Sequence, residues 1–383
     1  MEYKRIERGG PVRVDVARFS AASEECGECQ AVFRMEDGAC LSYRLQLDAL
    51  LDAWRFFLKE EDAVPVFARF FLSDAANQIS LLKEKAADLL ASSCCSLVQQ
   101  PPLDGSKLII WTYYQKGVEC VRLDDFSFLV SRGAYSHLWT GNLTFGEGDS
   151  ASQTESMLNY YSTFLSNRHL SLLDNCVRTW FFVQNVDVHY GGVVVARRDF
   201  FEQQGLLPSS HYIASTGIEG RSAEADLLVR LDAYAVAGLR PSQQQYLYAK
   251  SHLNPTYEYG VTFERGVKVR YGDRAHLFIS GTASIDNKGN VLYEGDVVRQ
   301  TERMLENTSA LLEEGGASFE DVSYMFVYLR DMSDYAVVRG MYEERFPDVP
   351  KVILWAPVCR PGWLIEMECM AIIPQKESRF PNY

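Results

Sequence analysis

Apolar residues along the chain follow two periods, and the order in which those periods alternate repeats itself. From Leu47 to Leu58 the apolar positions are 47, 50, 51, 54, 57 and 58, one face of a helix with 3.6 residues per turn. Val64 to Leu72 is a run of branched and aromatic residues and predicts a strand. Ala75 to Leu90 predicts a second helix, and Leu108 to Tyr114 a closing strand. The same succession returns twice. Gln153-Thr-Glu-Ser-Met-Leu158 and Gln300-Thr-Glu-Arg-Met-Leu305 each open a helix, with five of six residues identical. Strand-like runs follow at Val177 to Val183 and Val322 to Tyr328, each succeeded at the same spacing by a tyrosine, Tyr190 and Tyr335. A second helical stretch comes next in each copy, Val193 to Phe201 and Ala336 to Phe346. Runs with period two, Asp226 to Val236 and Trp363 to Ile372, close the copies. His137-Leu-Trp139 and His276-Leu-Phe278 precede them at matching places, which favours packing roles for both histidines.

A repeat explains this pattern. The unit reads strand, hairpin, strand, helix, strand, helix, strand, and at roughly 110–120 residues it has the size of one domain. Three copies account for the 383 residues. The expected divisions are 1–124, 125–240 and 241–383, the first copy being the most degenerate because it lacks the Gln-Thr-Glu signature. The expected class is α+β, with β-sheets packed on helices. Gly238 to Thr256 is expected to link the second and third copies, and Asn287-Lys-Gly-Asn290 to form a hairpin turn.

Composition narrows the partners. Apolar residues make up 47% and charged residues 23%, which excludes a disordered or fibrous chain. No apolar run approaches the roughly 18 residues of a membrane span. Met1 to Arg13 alternates in charge and lacks the apolar segment of a secretory leader, so a cytoplasmic location is expected. The net charge is −13, from 38 basic and 51 acidic residues, and no Lys/Arg run exceeds two residues, which argues against nucleic acid. Nine cysteines stand at irregular spacing, including Cys26-Gly-Glu-Cys29 and the adjacent Cys94-Cys95. They read as reduced thiols rather than disulfides or a zinc site. Glycine-rich phosphate loops, the HExxH zinc pattern and the GxSxG nucleophile turn are missing from the sequence. No metal and no cofactor are expected.

Five stretches of the third copy resemble, in order, the RidA/YjgF family of small β-α proteins, whose fold is chorismate mutase-like. They are Phe278 to Ile285, Gly295 to Thr301, Leu311 to Val322, Val327 to Met332 and Ile365-Glu-Met-Glu368. The family forms trimers with clefts between subunits, so the resemblance implies a pseudotrimer within one chain, and a monomer. The family's enamine/imine hydrolysis depends on an arginine two residues after the proline that precedes the cleft strand. Here Pro350-Lys-Val352 places a valine there, and Pro208-Ser-Ser-His211 of the second copy also lacks arginine. Four further stretches resemble the chorismatase branch. They are Val177-Arg-Thr-Trp-Phe181, the loop Tyr212 to Gly220, Asn254 to Gly266, and Cys359 to Glu366. Chorismatases remove the enolpyruvyl group of chorismate as pyruvate and leave a hydroxybenzoate or a dihydroxycyclohexadienoate.

That chemistry names residue types. Protonating an enol ether carbon needs a carboxylic acid kept protonated near neutral pH by burial. Glu366 lies in an apolar run, and period two places it on the same face as Glu368, where a second acid raises its pKa. The alternative is that both line the solvated face of an edge strand. Glu366 corresponds to Arg230 of the second copy while apolar neighbours persist around both, which points to one differentiated cleft. A small-molecule carboxylate substrate, chorismate under this reading, needs guanidinium partners. Arg178, Arg265 and Arg221 are the candidates, with Tyr212 as a further hydrogen-bond donor. The resemblance implies that Cys359 assists a later rearrangement; the alternative is a small buried residue. Two competing readings are a residual RidA-like enamine/imine hydrolase and a non-catalytic protein that binds small carboxylates.

Overall fold

A computed structural model describes residues 1–383 except 8–9, 21–26 and 37–40, and except the side chain of Tyr259. Cys26 of the Cys26–Cys29 pair therefore lies outside the described residues.

The chain builds the same unit three times. The first contains β1 (Glu2–Glu7), β2 (Val12–Phe19), β3 (Glu28–Met35), α1 (Tyr43–Glu61), β4 (Val64–Leu72), α2 (Ala75–Lys85), α3 (Ala87–Ser92), β5 (Cys94–Gln99) and β6 (Leu108–Gln115). The second contains β7 (Cys120–Arg122), β8 (Ser127–Arg132), β9 (Tyr135–Leu143), α4 (Ser150–Ser166), α5 (Leu172–Asn175), β10 (Cys176–Val183), α6 (Val186–Gln203), β11 (Ala214–Glu219) and β12 (Val229–Ala237). The third contains β13 (Gln244–Leu247), β14 (Gly266–Arg270), β15 (Arg274–Ala283), α7 (Val297–Glu314), β16 (Val322–Leu329), α8 (Tyr335–Arg345), β17 (Lys351–Trp355) and β18 (Ile365–Pro374). Each unit forms a six-stranded mixed sheet, with strand orders β1-β2-β3-β6-β4-β5, β7-β8-β9-β12-β10-β11 and β13-β14-β15-β18-β16-β17.

Local chemistry accounts for the main elements. The Gln-Thr-Glu helices α4 and α7 start on Asp149 and Asp296, whose carboxylates accept from the Ser152 and Arg299 backbone N–H groups. Gly316 ends the second of these turns with φ +77°, the left-handed conformation that glycine tolerates. Strands β6, β10 and β16 are buried at every position, because their sheets are covered on both faces. One face packs on the unit's own helices. The other meets the neighbouring sheets at a central core, where Phe67 of β4 lies 5.2 Å from Trp139 of β9 and Trp111 of β6 lies 4.7 Å from Tyr324 of β16. His276 of β15 bonds Glu28 of β3 at 2.9 Å, and His137 of β9 bonds Tyr234 at 2.7 Å.

The fold departs from the sequence pattern in four places. Each unit has an extra parallel strand after its second helix: β5 on β4, β11 on β10 and β17 on β16. The Tyr212–Gly220 stretch, expected as a loop, is largely that strand β11, because short buried strands carry no alternation. The expected linker Gly238–Thr256 contains β13, which pairs with β14 as the edge of the third sheet. Ala75–Leu90 is two helices broken at Ala86 rather than one.

Candidate functional site

A cleft of about 400 Å³ opens between the second and third units, bordered by α6 and β11 on one side and by the segment leading into β14, by β15 and by β18 on the other. Glu366 stands at its base. It is the second residue of β18, a central strand, opposite Ala283 of β15 and Tyr328 of β16. The alternative of a solvated edge is thereby corrected: the residue is 5% exposed. Its carboxyl lies over Gly281, where a Cβ would come 2.1 Å from Oε1. Any side chain at this position would displace the carboxyl from where it lies. Burial pushes the Glu366 carboxyl up to about 8, with the negative charge of Glu368 adding to the effect and Arg265 and Arg178 opposing it.

Glu368, one pleat further along β18, meets a different environment. It accepts from Arg178 Nη2 at 2.5 Å, from Trp180 Nε1 at 2.8 Å and from the Thr216 hydroxyl. Arg69 of the first unit lies 3.9 Å away and also pairs with Asp232 of the second at 2.9 Å. Two carboxylates on one face thus have opposite settings: Glu368 is compensated by cations, and Glu366 is desolvated.

The other sequence candidates divide. Arg178 is 1% exposed and turns its guanidinium to Glu368, Thr216 and Ser280. It lies behind the cleft and does not line it. Arg265 and Cys359 both line the cleft. Arg265 donates to the Asn254 carbonyl at 3.1 Å. The Cys359 thiol is pushed up to about 12 by burial and by Glu366, and it contacts Tyr190. Arg221 is elsewhere: its backbone pairs with Gln99 of the first unit, and its side chain reaches Glu219 at 3.3 Å. Tyr212 packs in the core of the second unit, its backbone N–H donating to Glu264 Oε1 at 2.8 Å. Both residues flank β11 and do not line the cleft, to which the strand offers Ser215, Thr216 and Gly217.

Among the cleft residues not singled out from the sequence as site residues are Arg197, Arg360 and Tyr190. Arg197 of α6 is 1% exposed; its Nε donates to Thr262 at 3.3 Å, and its Nη2 is buried with no hydrogen-bond partner among the described residues. Arg360 lies over the Trp363 ring at 4.9 Å. Tyr190 sits where the repeat tyrosine recurs. A signal for Arg197 existed: it shares the buried face of α6 with Val193, Phe200 and Phe201, and a cation on an apolar helix face needs a purpose.

The strand registers also relocate the family arginine position. Val352 pairs with Phe326, and Thr216 and Ser96 occupy the same place in the other units, opposite Trp180 and Arg69. The counterpart of Val352 is therefore Thr216, not the Pro208–His211 stretch, and none of the three units carries arginine there.

Fold and site together define a single-chain pseudotrimer of YjgF-type units in which one inter-unit cleft is differentiated by a desolvated acid. Comparison with known proteins agrees with the fold. The family profile described as Endoribonuclease L-PSP matches residues 264–373. A RutC family protein of Pyrococcus abyssi is 38% identical over 97 residues, covering 25% of this chain and 76% of that protein. One of Pyrococcus horikoshii is 39% identical over 97 residues, covering 25% and 77%. The chain belongs to the RidA/YjgF (RutC) family, by way of its third unit. The crystal structure of a chorismatase superposes with a TM-score of 0.63 at 19% identity, covering 80% of this chain and 93% of that one. The three-unit fold is shared with that protein. Among the described residues, no helix is long and apolar enough to cross a membrane.

Proposed function

We propose that this chain is a chorismatase-like enzyme that releases the enolpyruvyl group of chorismate as pyruvate, acting in the cytoplasm as a monomer, with Glu366 as general acid. The observation that carries this reading is the Glu366 carboxyl, buried at the base of the cleft and pushed up to about 8. Such a group keeps its proton at neutral pH and can donate it. Chorismate is a dianion, and Arg197, Arg265 and Arg360 border the same cleft. Arg197 Nη2, buried and without an acceptor among the described residues, is short of the partner that a substrate carboxylate would supply.

In the proposed step, the Glu366 proton passes to the terminal methylene carbon of the enol ether. The ether carbon becomes an oxocarbenium centre and Glu366 a carboxylate, stabilised by Arg265. If water adds there and the adduct collapses, pyruvate and a dihydroxycyclohexadienoate leave. If the ring rearranges without water, pyruvate and a hydroxybenzoate together contain every atom of chorismate. Cys359, a neutral thiol beside Glu366, is assigned to that rearrangement. Arg178 and Glu368 act as positioning residues, because their ion pair fixes the negative charge that helps to keep Glu366 protonated. A RidA-like enamine hydrolase is disfavoured by Ser96, Thr216 and Val352 at the arginine position. Incubation of the purified chain with chorismate tests the proposal: pyruvate release is expected, and its absence from an active-site-intact preparation refutes it.

A further inference from the structure

The pseudosymmetry places a second cavity, of about 290 Å³, between the third unit and the first. Its chemistry is different. By strand register the counterpart of Glu366 is Ile109, since Ile109 pairs with Phe71 as Glu366 pairs with Tyr328. The counterpart of Arg265 is Asp15, which precedes Val16 opposite Ala31 as Arg265 precedes Gly266 opposite Ile279. The place of the proposed general acid is thus taken by an isoleucine.

Basic groups converge instead. Arg5, Arg13, Arg34, Arg339 and Lys351 line this cavity. Asp15, 5% exposed, holds three of them, with Arg5 at 3.2 Å, Arg13 at 2.9 Å and Arg34 at 3.5 Å. One carboxylate thus presents three guanidinium groups as a cluster. Arg34 is tied to both sides of the cavity, its Nε facing Asp15 Oδ2 at 3.5 Å and its Nη2 donating to the Lys351 carbonyl. Lys351, 9% exposed, is fixed by the Phe346 and Val349 carbonyls at 2.6 and 3.3 Å. Among the described residues, the other acids at the cavity are Asp104, 4.0 Å from Arg34, and Glu343, 2.6 Å from Arg339. Among the described residues, Arg5, Arg13, Arg34 and Lys351 thus meet Asp15 and Asp104, four cations against two carboxylates, in a chain whose net charge is −13. Such a concentration of guanidinium in a concave site fits an anion with several oxygens, which fork-shaped donors bind in pairs.

We propose that this cavity binds a small dianion, a phosphate monoester or a dicarboxylate, without transforming it. The proposal is independent of the reaction at the other cleft. Calorimetric titration of the full chain at low ionic strength tests it, with inorganic phosphate in one arm and malonate in the other. One equivalent of either anion is expected to bind, and the stronger arm identifies the class. The double variant Arg13→Gln/Arg339→Gln, whose side chains are 25% and 35% exposed, should weaken binding at least about tenfold. Arg5→Gln, at a side chain 44% exposed, is the second probe if the double variant melts early. Arg197→Gln, in the other cleft, should leave binding unchanged. The proposal is overturned if neither anion binds the native chain, if the Arg13, Arg339 and Arg5 substitutions leave affinity intact, or if Arg197→Gln alone abolishes it.

Discussion

Replacing Glu366 by Gln keeps the shape of the side chain and removes its proton, so activity and stability should move in opposite directions. In the folded chain the carboxyl titrates at about 8, against an ordinary value of 4.5. The folded state therefore holds a proton that the unfolded state has lost throughout the window between those values, and stability falls as pH rises across it. At about 1.4 kcal/mol per pH unit the full window is worth about 5 kcal/mol, of which about 3 kcal/mol is already lost at pH 7. Glutamine does not ionise and escapes this cost. The variant should lose pyruvate release by about 10²–10⁴-fold. It should also gain roughly 2–3 kcal/mol in urea unfolding at pH 7, a gain that shrinks toward zero near pH 4.5. Coupled detection of pyruvate and unfolding followed by tryptophan fluorescence at several pH values read both. Turnover equal to the native chain would refute the acid assignment. A stability gain of equal size at pH 5 and pH 8 would refute the desolvated carboxyl. In the native chain the rate should fall as pH rises through about 8, because the donor form is lost.

Other consequences follow from the same geometry. Gly281→Ala would bring a Cβ to 2.1 Å from Glu366 Oε1; the displaced carboxyl should cost at least about 100-fold in kcat with the KM for chorismate nearly unchanged. Arg197→Gln should raise KM by about 10-fold or more while kcat changes little, as for a group that binds substrate and transition state alike. Arg69→Leu leaves Asp232 buried without its cation at 2.9 Å and should destabilise the chain by about 3–5 kcal/mol, read as a lower urea midpoint. Cys359→Ala should leave pyruvate release in place and change the ratio of hydroxybenzoate to dihydroxycyclohexadienoate, read by chromatography of the products.

The repeat was legible because it lives in short-range patterns. The Gln-Thr-Glu helices, the Val64–Leu72 strand and the closing strands follow from period 3.6, period 2 and local caps, and none of these needs a distant partner. Glu366 was legible as well, since Arg230 interrupts the repeat at that one polar position. The strands β5, β11 and β17 were not, because a short strand buried on both faces shows no alternation and exists only through its parallel neighbour. Arg178 could be seen as a cation among aromatics, yet the chain alone did not say that it answers Glu368, 190 residues away.

What sits around each charge was decided by the tertiary structure. Glu366 and Glu368 are one pleat apart on the same strand and chemically equivalent in sequence. Packing against the second unit gives Glu368 Arg178, Trp180 and Thr216, and gives Glu366 a desolvated place over Gly281. The same packing removes Arg221 and Tyr212 from the cleft and brings Arg197 into it. Electrostatic environment depends on which surfaces meet in space, and the three units meet through contacts hundreds of residues apart. The sequence determined by itself that there are three units and that one differs from the others at an acid. Their arrangement about the central core determined which acid is desolvated, which cations face the cleft, and why the cavity between the third and first units gathers basic side chains with no acid at the place of Glu366.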